Sequence, residues 1–191
     1  MTWGCLSRCR LYCIAKAVTF VAAFLILLKL IIMTTREKVE GRLLYMSLHR
    51  PDVYPFFRFA YLTGIRVEDA YVDNWIEFIP PDAVIIKPSK HNNVRIIRDA
   101  EVYNYARDNI VRINEITHRM SRHTLKMMAH SYFKEAKPAF RVNSIASYIF
   151  RYLYVKKLLD DGYSATAIQE NLGHASLSTT LKYIVVAEAL P

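Results

Sequence analysis

The sequence predicts an α+β domain that is mostly α-helical, with a small antiparallel β-sheet or hairpin in its middle and a hydrophobic helix at its N-terminus. Helical patterns occupy most of the chain on both sides of residues 83–97. Two short runs of mainly aliphatic residues, 83–86 and 94–97, flank a polar turn, as in a β-hairpin. The chain is 53% hydrophobic over 191 residues, which suffices for one core and leaves no room for two large catalytic domains.

The first 32 residues differ from the rest of the chain. They carry four basic residues and no acidic one, and residues 17–28 form an uncharged run of twelve that is apolar except for Thr19. A membrane-spanning helix needs about 20 apolar residues, a length that the run approaches only if Lys29 snorkels and residues 30–33 are included. We predict that residues 1–32 are a membrane anchor, with contact through residues 12–33, or a non-native upstream extension. The domain itself is predicted to span residues 33–191.

The three cysteines, Cys5, Cys9 and Cys13, all lie before this apolar run. A body without cysteine argues against a disulfide scaffold and fits a reducing cytoplasm, which is the predicted location. Acylation beside a membrane and metal binding are two alternatives for the trio, but we favour chance placement.

The helices before the sheet are recognised by their ends. Thr34, with Glu37 three residues later, is typical of a helix start. A second helix is predicted over residues 56–62 and ends near Gly64, because glycine is common just past a helix C-terminus. Two or three short strands follow, of which 83–86 and 94–97 are the clearest.

The residues after the sheet predict further helices. The pattern is helical from Asp99 nearly to residue 137, with a break around residues 114–117 and an end at Pro138. Asn143 or Ser144 is the predicted cap of a helix that runs to about residue 159 and is closed by Gly162. Two short helices are predicted at 165–172 and 179–186.

Positive charge is concentrated in the middle of the chain. The formal net charge is +9, and residues 87–157 alone carry +10. Clustered Lys and Arg attract a polyanion through counterion release, so this block predicts a nucleic-acid face, with a solvated basic surface as the alternative. The chain has five glycines and no Gly-rich phosphate-binding motif, which argues against a nucleotide-driven enzyme.

The sharpest motif lies near the C-terminus. Leu172-Gly173-His174 precedes Tyr183 by nine residues, counted from the histidine, and Arg151 lies 23 residues before His174. This spacing resembles the C-terminal box of the tyrosine recombinases, the phage-integrase family. In that family an arginine, a histidine and a nucleophilic tyrosine follow one another at these intervals.

A second box and the predicted hairpin extend the resemblance to about residues 34–186. Residues 61–69 resemble the segment that holds the family's first catalytic arginine, which is Arg66 here, and Asp69 matches an acidic residue that braces the site. The family's catalytic lysine lies in a β-hairpin turn. Lys87 is the preferred match because it ends a strand, and Lys90 is the alternative.

The resemblance implies the fold of a recombinase catalytic domain, a helical bundle with a small antiparallel sheet, and a role for each of these residues. Tyr183 would attack a DNA phosphate and form a 3′-phosphotyrosyl link, which requires neither a metal nor a nucleotide cofactor. Arg66 and Arg151 would bind the phosphate, since guanidinium forks suit two oxygens at once. Lys87 would protonate the leaving 5′-oxygen, and His174 would donate a hydrogen bond to the phosphate.

The sequence departs from the family in four ways. Tyr148 stands three residues before Arg151, where the family usually has a histidine that acts beside the arginine, and Tyr152 follows Arg151, where histidine is common. Tyr148 and Arg151 are three residues apart and would share a helix face, so Tyr148 is a candidate site residue, although a phenol is a poor base at neutral pH. The helical DNA-clamping domain that precedes the family's catalytic domain is not recognisable. Eight residues follow Tyr183, which limits exchange of C-terminal helices between protomers.

These observations predict a site-specific recombinase or integrase, or its catalytic fragment, that acts on double-stranded DNA for a virus or plasmid. It would work as a homo-multimer, dimer to tetramer, with a separate chain supplying the clamp, in the host cytoplasm if viral. The first alternative is a catalytically impaired, DNA-binding remnant, membrane-associated if the anchor is real, in which residues 165–183 act as a helix-turn-helix. The second alternative is a small membrane protein.

Overall fold

The computed structural model describes residues 33–87, 93–134 and 148–190, and residues from Thr35 onward belong to one compact unit. The predicted hydrophobic segment at 1–32, Lys90, and the predicted caps Asn143 and Ser144 lie outside the described residues. The elements, in chain order, are α1 (Thr35–His49), α2 (Tyr54–Thr63), a 3₁₀ helix (Val67–Tyr71), β1 (Ile76–Ile79), β2 (Ala83–Ile86), β3 (Arg95–Arg98), α3 (Ala100–Arg119), α4 (Arg122–Phe133), α5 (Ile149–Asp160), α6 (Ala165–Leu172) and α7 (Leu177–Glu188).

Helix α2 forms the centre of the first half of the core. Pro55 lies in its first turn, where a missing amide proton costs nothing, and Gly64 ends it in the left-handed region at φ 60°. Phe56, Phe57 and Phe59 are fully buried. Helix α2 packs against α3 and α5, so its C-terminal end is fixed inside the domain.

The three strands form one antiparallel sheet in the order β1-β2-β3, as predicted. Ile76 pairs with Ile86, and Ile86 pairs with Arg95 on the other side. Strand β3 begins one residue later than predicted. Burial alternates along β3, so that Arg95 and Ile97 are buried and Ile96 is exposed.

The break in the long helical region lies later than predicted. Helix α3 continues through residues 114–117 to Arg119, Met120 is extended, and α4 begins at Arg122. The reason is a cap that the apolar pattern does not reveal, since the Ser121 hydroxyl accepts a hydrogen bond from the Thr124 amide at 3.1 Å. Asp99 caps α3 in the same way.

Helix α5 is buried along most of its length and packs against α2 and α7. Its position carries Arg151 into the middle of the domain. Helix α6 has the predicted bounds, whereas α7 extends two residues beyond them at each end. In the part of the chain that the structure describes, no helix has the length and apolar character to cross a bilayer. The observed fold class is the predicted one, mostly helical with a small antiparallel sheet.

Candidate active site

The candidate site lies where the C-terminal ends of α2 and α6 approach each other. Both helices end on a glycine in the left-handed region, Gly64 at φ 60° and Gly173 at φ 65°. Gly173 is also tightly enclosed, because a Cβ there would lie 2.4 Å from the Asn93 carbonyl oxygen. The Asn93 amide donates to the Gly173 carbonyl at 3.0 Å, so the turn is attached directly to the start of β3. The two glycines direct the chain into the segments that carry Arg66 and His174.

Arg151 joins these two helix ends. Its side chain is 1% exposed, and it donates from Nη1 to the Gly64 carbonyl at 3.1 Å and from Nη2 to the Leu172 carbonyl at 2.8 Å. Burial, reinforced by the charges of Arg95 and Arg66, lowers the pKa of Arg151 to about 9, which leaves it protonated at neutral pH. Its Nε is buried without a hydrogen-bond partner among the described residues.

His174 is held as a neutral imidazole. Its Nε2 lies 3.0 Å from Arg151 Nη2, and since a guanidinium is only a donor, Nε2 accepts. The proton is therefore on Nδ1, which donates to Thr180 Oγ1 at 2.9 Å. Burial, followed by the charges of Arg151 and Arg66, lowers the pKa of His174 to about 3. At neutral pH the ring is an acceptor toward Arg151 and carries no charge.

Tyr183 lies over this pair. Its ring centroid is 5.3 Å from that of His174 and 5.6 Å from the Arg151 guanidinium carbon. Tyr183 follows Thr180 by one helical turn of α7, so the hydroxyl that holds His174 and the phenol share a helix face. The rings of Tyr152 and Tyr148 lie 5.2 and 6.5 Å from the Tyr183 ring. The predicted Tyr148, Arg151, His174 and Tyr183 are thus brought together.

Arg66 and Asp69 lie at the start of the 3₁₀ helix. The Arg66 amide donates to Asp69 Oδ2 at 3.2 Å, and the Asp69 amide donates to the Arg66 carbonyl at 3.0 Å. Asp69 is buried and Arg66 is half-buried. The charge of Arg66 lowers the pKa of both Arg151 and His174, which places its guanidinium within electrostatic range of the group. Asp69 therefore fixes the backbone that presents Arg66.

Lys87 is placed differently. It directly follows β2, its amide donates to the Trp75 carbonyl at 2.8 Å, and its ammonium forms an ion pair with Glu77 on β1. The structure thus gives Lys87 a partner on the neighbouring strand rather than in the group around Arg151. Its competitor Lys90 lies outside the described residues.

Two residues of the site were not predicted from the sequence. Thr180 orients His174, and Arg95, 2% exposed, donates from Nε to the Asn171 carbonyl at 2.7 Å and from Nη2 to the Thr63 carbonyl. The signal for Arg95 was present in the alternation of β3, because Arg95 shares a strand face with the apolar Ile97. The net charge of residues 87–157 did not reveal Arg95, because such a count does not distinguish a buried arginine from an exposed one.

The positive block is partly neutralised by ion pairs. Its paired residues are Lys87 with Glu77, Arg107 with Asp108, Lys126 with Glu68, Lys156 with Asp160, and Lys157 with Asp99. The described residues contain no group of three or more His, Cys, Asp or Glu side chains that could hold a metal ion. The Arg151 guanidinium carbon lies 5.6 Å from the ring of the candidate nucleophile, and the charges of Arg95 and Arg66 act on Arg151. Arg95 and Arg151 are both buried.

Comparison with known proteins supports the fold. The chain is similar to the crystal structure of XerA recombinase, with a TM-score of 0.58 and 19% sequence identity, over 77% of this chain and 57% of that one. It therefore spans a little over half the length of that protein. No protein-family model matches the chain, and no curated protein matches its sequence. The likeness confirms a recombinase-like fold, as the two sequence boxes predict.

Proposed function

We propose that this chain is the catalytic part of a tyrosine recombinase, which cleaves and rejoins DNA strands through a 3′-phosphotyrosyl link to Tyr183. The observation that carries the proposal is the packing of the Tyr183 ring over Arg151 and His174, within a fold similar to that of a recombinase. The three residues lie on or next to three different helices and have the spacing that the resemblance requires. Their meeting in one place makes phosphoryl transfer the chemistry that fits best.

The proposed reaction balances without a cofactor. The Tyr183 oxygen attacks the phosphorus, the bond from phosphorus to the 5′-oxygen breaks, and the phenol proton passes to solvent water. Lys87, released from Glu77, supplies the proton that the 5′-oxygen takes up. Arg151 and Arg66 stabilise the charge that develops on the non-bridging oxygens. The link conserves the energy of the phosphodiester, so a 5′-hydroxyl can later reverse the reaction.

The geometry refines the role proposed for His174. Because Nε2 accepts from Arg151 and Nδ1 donates to Thr180, the neutral ring orients the arginine rather than the phosphate. Donation from Nε2 to a phosphate requires that Arg151 release it and that Nε2 carry a proton. We propose that an incoming phosphate attracts the Arg151 guanidinium. The freed imidazole then takes up a proton from solvent at Nε2 and releases the one at Nδ1 to solvent, so that Nδ1 accepts from the Thr180 hydroxyl.

The proposal also includes the substrate, the assembly, the biological role and the location of the protein. The substrate would be double-stranded DNA, bound by a dimer to tetramer of this chain with a separate chain supplying the clamp. The biological role would be integration of a viral or plasmid genome in the cytoplasm, with membrane association through residues 12–33 if these residues form an anchor. These points rest on the resemblance in the sequence and on the recombinase-like fold.

A nicked suicide substrate tests the proposal, because loss of a short fragment after cleavage traps the covalent adduct. The wild-type chain should form an adduct that resists denaturant, and Tyr183→Phe should form none. Tyr163→Phe is the matched control, since Tyr163 is 46% exposed on a loop and should cleave at the wild-type rate. A folded, DNA-binding protein that forms no adduct on any nicked duplex would contradict the catalytic proposal.

One observation favours the second candidate, a DNA-binding remnant without catalysis. The proposed general acid, Lys87, is paired with Glu77, and a phenol, Tyr148, stands where the family has a histidine. Both positions at which protons would be transferred therefore differ from what catalysis needs. In that case salt-sensitive DNA binding would persist, and Tyr183→Phe would change nothing measurable.

A further inference from the structure

Arg95 is a buried cation whose hydrogen bonds end on neutral acceptors. It is 2% exposed, and burial lowers its pKa. Its Nε donates to the Asn171 carbonyl at 2.7 Å and its Nη2 to the Thr63 carbonyl, while the Tyr154 ring lies 5.8 Å from the guanidinium carbon. Asp69 and the Tyr154 hydroxyl offset part of this charge. A buried guanidinium remains costly unless its donors are satisfied, so its hydrogen-bond partners decide what it does here.

The two carbonyls explain why the charge is tolerated. Thr63 is the last residue of α2, and Asn171 is the next-to-last residue of α6. The last carbonyls of a helix have no partner within it and carry the negative end of the helix dipole, so a cation there is stabilised. One guanidinium edge therefore bridges two helix C-termini.

Arg151 makes the same bridge one residue further along each chain segment. Arg95 binds the carbonyls of Thr63 and Asn171, and Arg151 binds those of Gly64 and Leu172. The two arginines come from different elements, β3 and α5, and join the same pair of helix ends. The segments that follow these ends carry Arg66 and His174.

We propose that Arg95 is a positioning residue, which holds the segment bearing Arg66 and the segment bearing His174 at a fixed separation beneath Arg151. Its planar fork can satisfy two carbonyls from different helices at once, whereas a lysine ammonium is a single point charge. Arg95 is too deeply buried to contact DNA, so it acts through its neighbours. The catalytic consequence rests on the proposed function, but the effect on His174 does not.

The test compares Arg95→Lys with Arg98→Lys. Arg98 lies three residues along the same strand on the exposed face, so its replacement controls for a change of side chain in β3. Three quantities are measured on the full chain: the Kd for a DNA duplex, the rate of adduct formation at saturating nicked DNA, and the ¹⁵N shifts of the His174 imidazole. The last identifies which ring nitrogen carries the proton, and it needs no DNA.

Arg95→Lys should leave the Kd within about twofold and lower the adduct rate about 100-fold, because a displacement of about 1 Å in a catalytic group costs a factor of this size. The His174 shifts should move away from those of the Nδ1–H form. Arg98→Lys should change neither the rate at saturation nor the His174 shifts. A loss of affinity with an unchanged saturated rate would mean that Arg95 binds DNA, and it would overturn the proposal.

Arg95→Met provides a second variant if the lysine does not fold. The methionine side chain is of similar length and leaves no unpaired cation in the core. Unchanged His174 shifts in the variant that folds would overturn the proposal even if wild-type protein formed no adduct. Changed shifts with no wild-type adduct would support the positioning role while the proposed function failed.

Discussion

At the scale of single residues, the site is a group of positive charges held without a carboxylate in direct hydrogen-bond contact with Arg151. Its guanidinium donates to two carbonyls and one imidazole, and the nearest arginines lower its pKa. These acceptors stabilise the cation without neutralising it. A phosphate that approaches Tyr183 would therefore meet the Arg151 charge, which the Asp69 carboxylate offsets only in part, and such a charge stabilises a phosphoryl transition state.

The identity of the general acid can be decided with a modified substrate. We expect Lys87→Met to lower the adduct rate on ordinary nicked DNA about 10²- to 10⁴-fold, because the 5′-oxygen would leave without a proton. A 5′-bridging phosphorothiolate has a thiolate leaving group, which is far more stable as an anion than an alkoxide, so this substrate should restore the rate.

Lys90→Met is the matched control, since Lys90 is the competing lysine of the same turn. It should cleave both substrates at the wild-type rate. If Lys90→Met were slow and rescued by sulfur while Lys87→Met was fast, the assignment of Lys87 would be wrong.

His174 gives a prediction about stability and pH. Its pKa is about 3 in the folded protein, well below the ordinary value of 6.5, because of burial and of the Arg151 and Arg66 charges. As the pH falls below about 6.5, His174 therefore binds a proton in the unfolded chain, whereas in the folded chain it does so only near pH 3. The stability from the neutral ring is complete above pH 6.5 and falls as pH drops toward 3, by about 1.4 kcal/mol per unit.

Urea unfolding at pH 7 and at pH 4.5 measures this effect. Wild-type protein should lose roughly 2–3 kcal/mol more than His174→Gln over this interval, since the variant lacks the titrating ring. Equal losses in the two proteins would show that His174 is not held neutral.

At the scale of elements, the helix ends are more important to the site than the helix faces. The ends of α2 and α6 supply the four carbonyls that Arg95 and Arg151 bind, and the glycines that end them turn the chain toward Arg66 and His174. Strand β3 carries Arg95, and Asn93, just before the strand, donates a hydrogen bond to the Gly173 carbonyl. A change at one of these ends should therefore disturb catalysis and stability together.

Gly173→Ala tests the end of α6. A methyl group would clash with the Asn93 carbonyl oxygen and the Arg95 side chain, and the left-handed backbone adds about 1–2 kcal/mol. We expect a loss of more than 2 kcal/mol of unfolding free energy, together with loss of the adduct.

Gly162→Ala is the matched control for backbone strain alone. Gly162 has φ 81° and nothing lies within 4 Å of the added Cβ, so the loss should be about 1 kcal/mol with the adduct rate retained. Equal losses at the two glycines would show that the Gly173 turn does not contact β3 closely.

A feature of this fold can be predicted from the sequence when the residues that determine it are close together in the chain. Helix α6 was predicted at its observed bounds, and in the structure both of its ends are set locally, by the Ser164 cap and by Gly173. The end of α3 was misplaced, since a serine cap decides it and the apolar pattern runs past it. Arg95 was missed because its partners lie 32 and 76 residues away, and only the folded chain brings them near. Thr180 was missed because the turn that brings it to His174, six residues earlier, is not visible in the apolar pattern.

At the scale of the whole molecule, the domain from Thr35 onward is compact by itself, and the chain is similar to 57% of XerA recombinase. A protein that begins at Met33 should therefore fold. We expect its melting temperature and its DNA affinity to equal those of the full chain within error, because the core of the described residues is built from Val39 onward. Aggregation or loss of folding in this shorter protein would show that residues 1–32 belong to the domain.

The central claim is that Tyr183, among three neighbouring tyrosines, forms the bond to DNA. Trypsin separates them, since Tyr148 falls in residues 142–151, Tyr152 in residues 152–156 and Tyr183 in residues 183–191. Mass spectrometry of the trapped adduct should find a nucleotide attached through phosphate to the peptide 183–191. A nucleotide on either of the other two peptides, or on none with the protein folded and bound to DNA, would contradict the account.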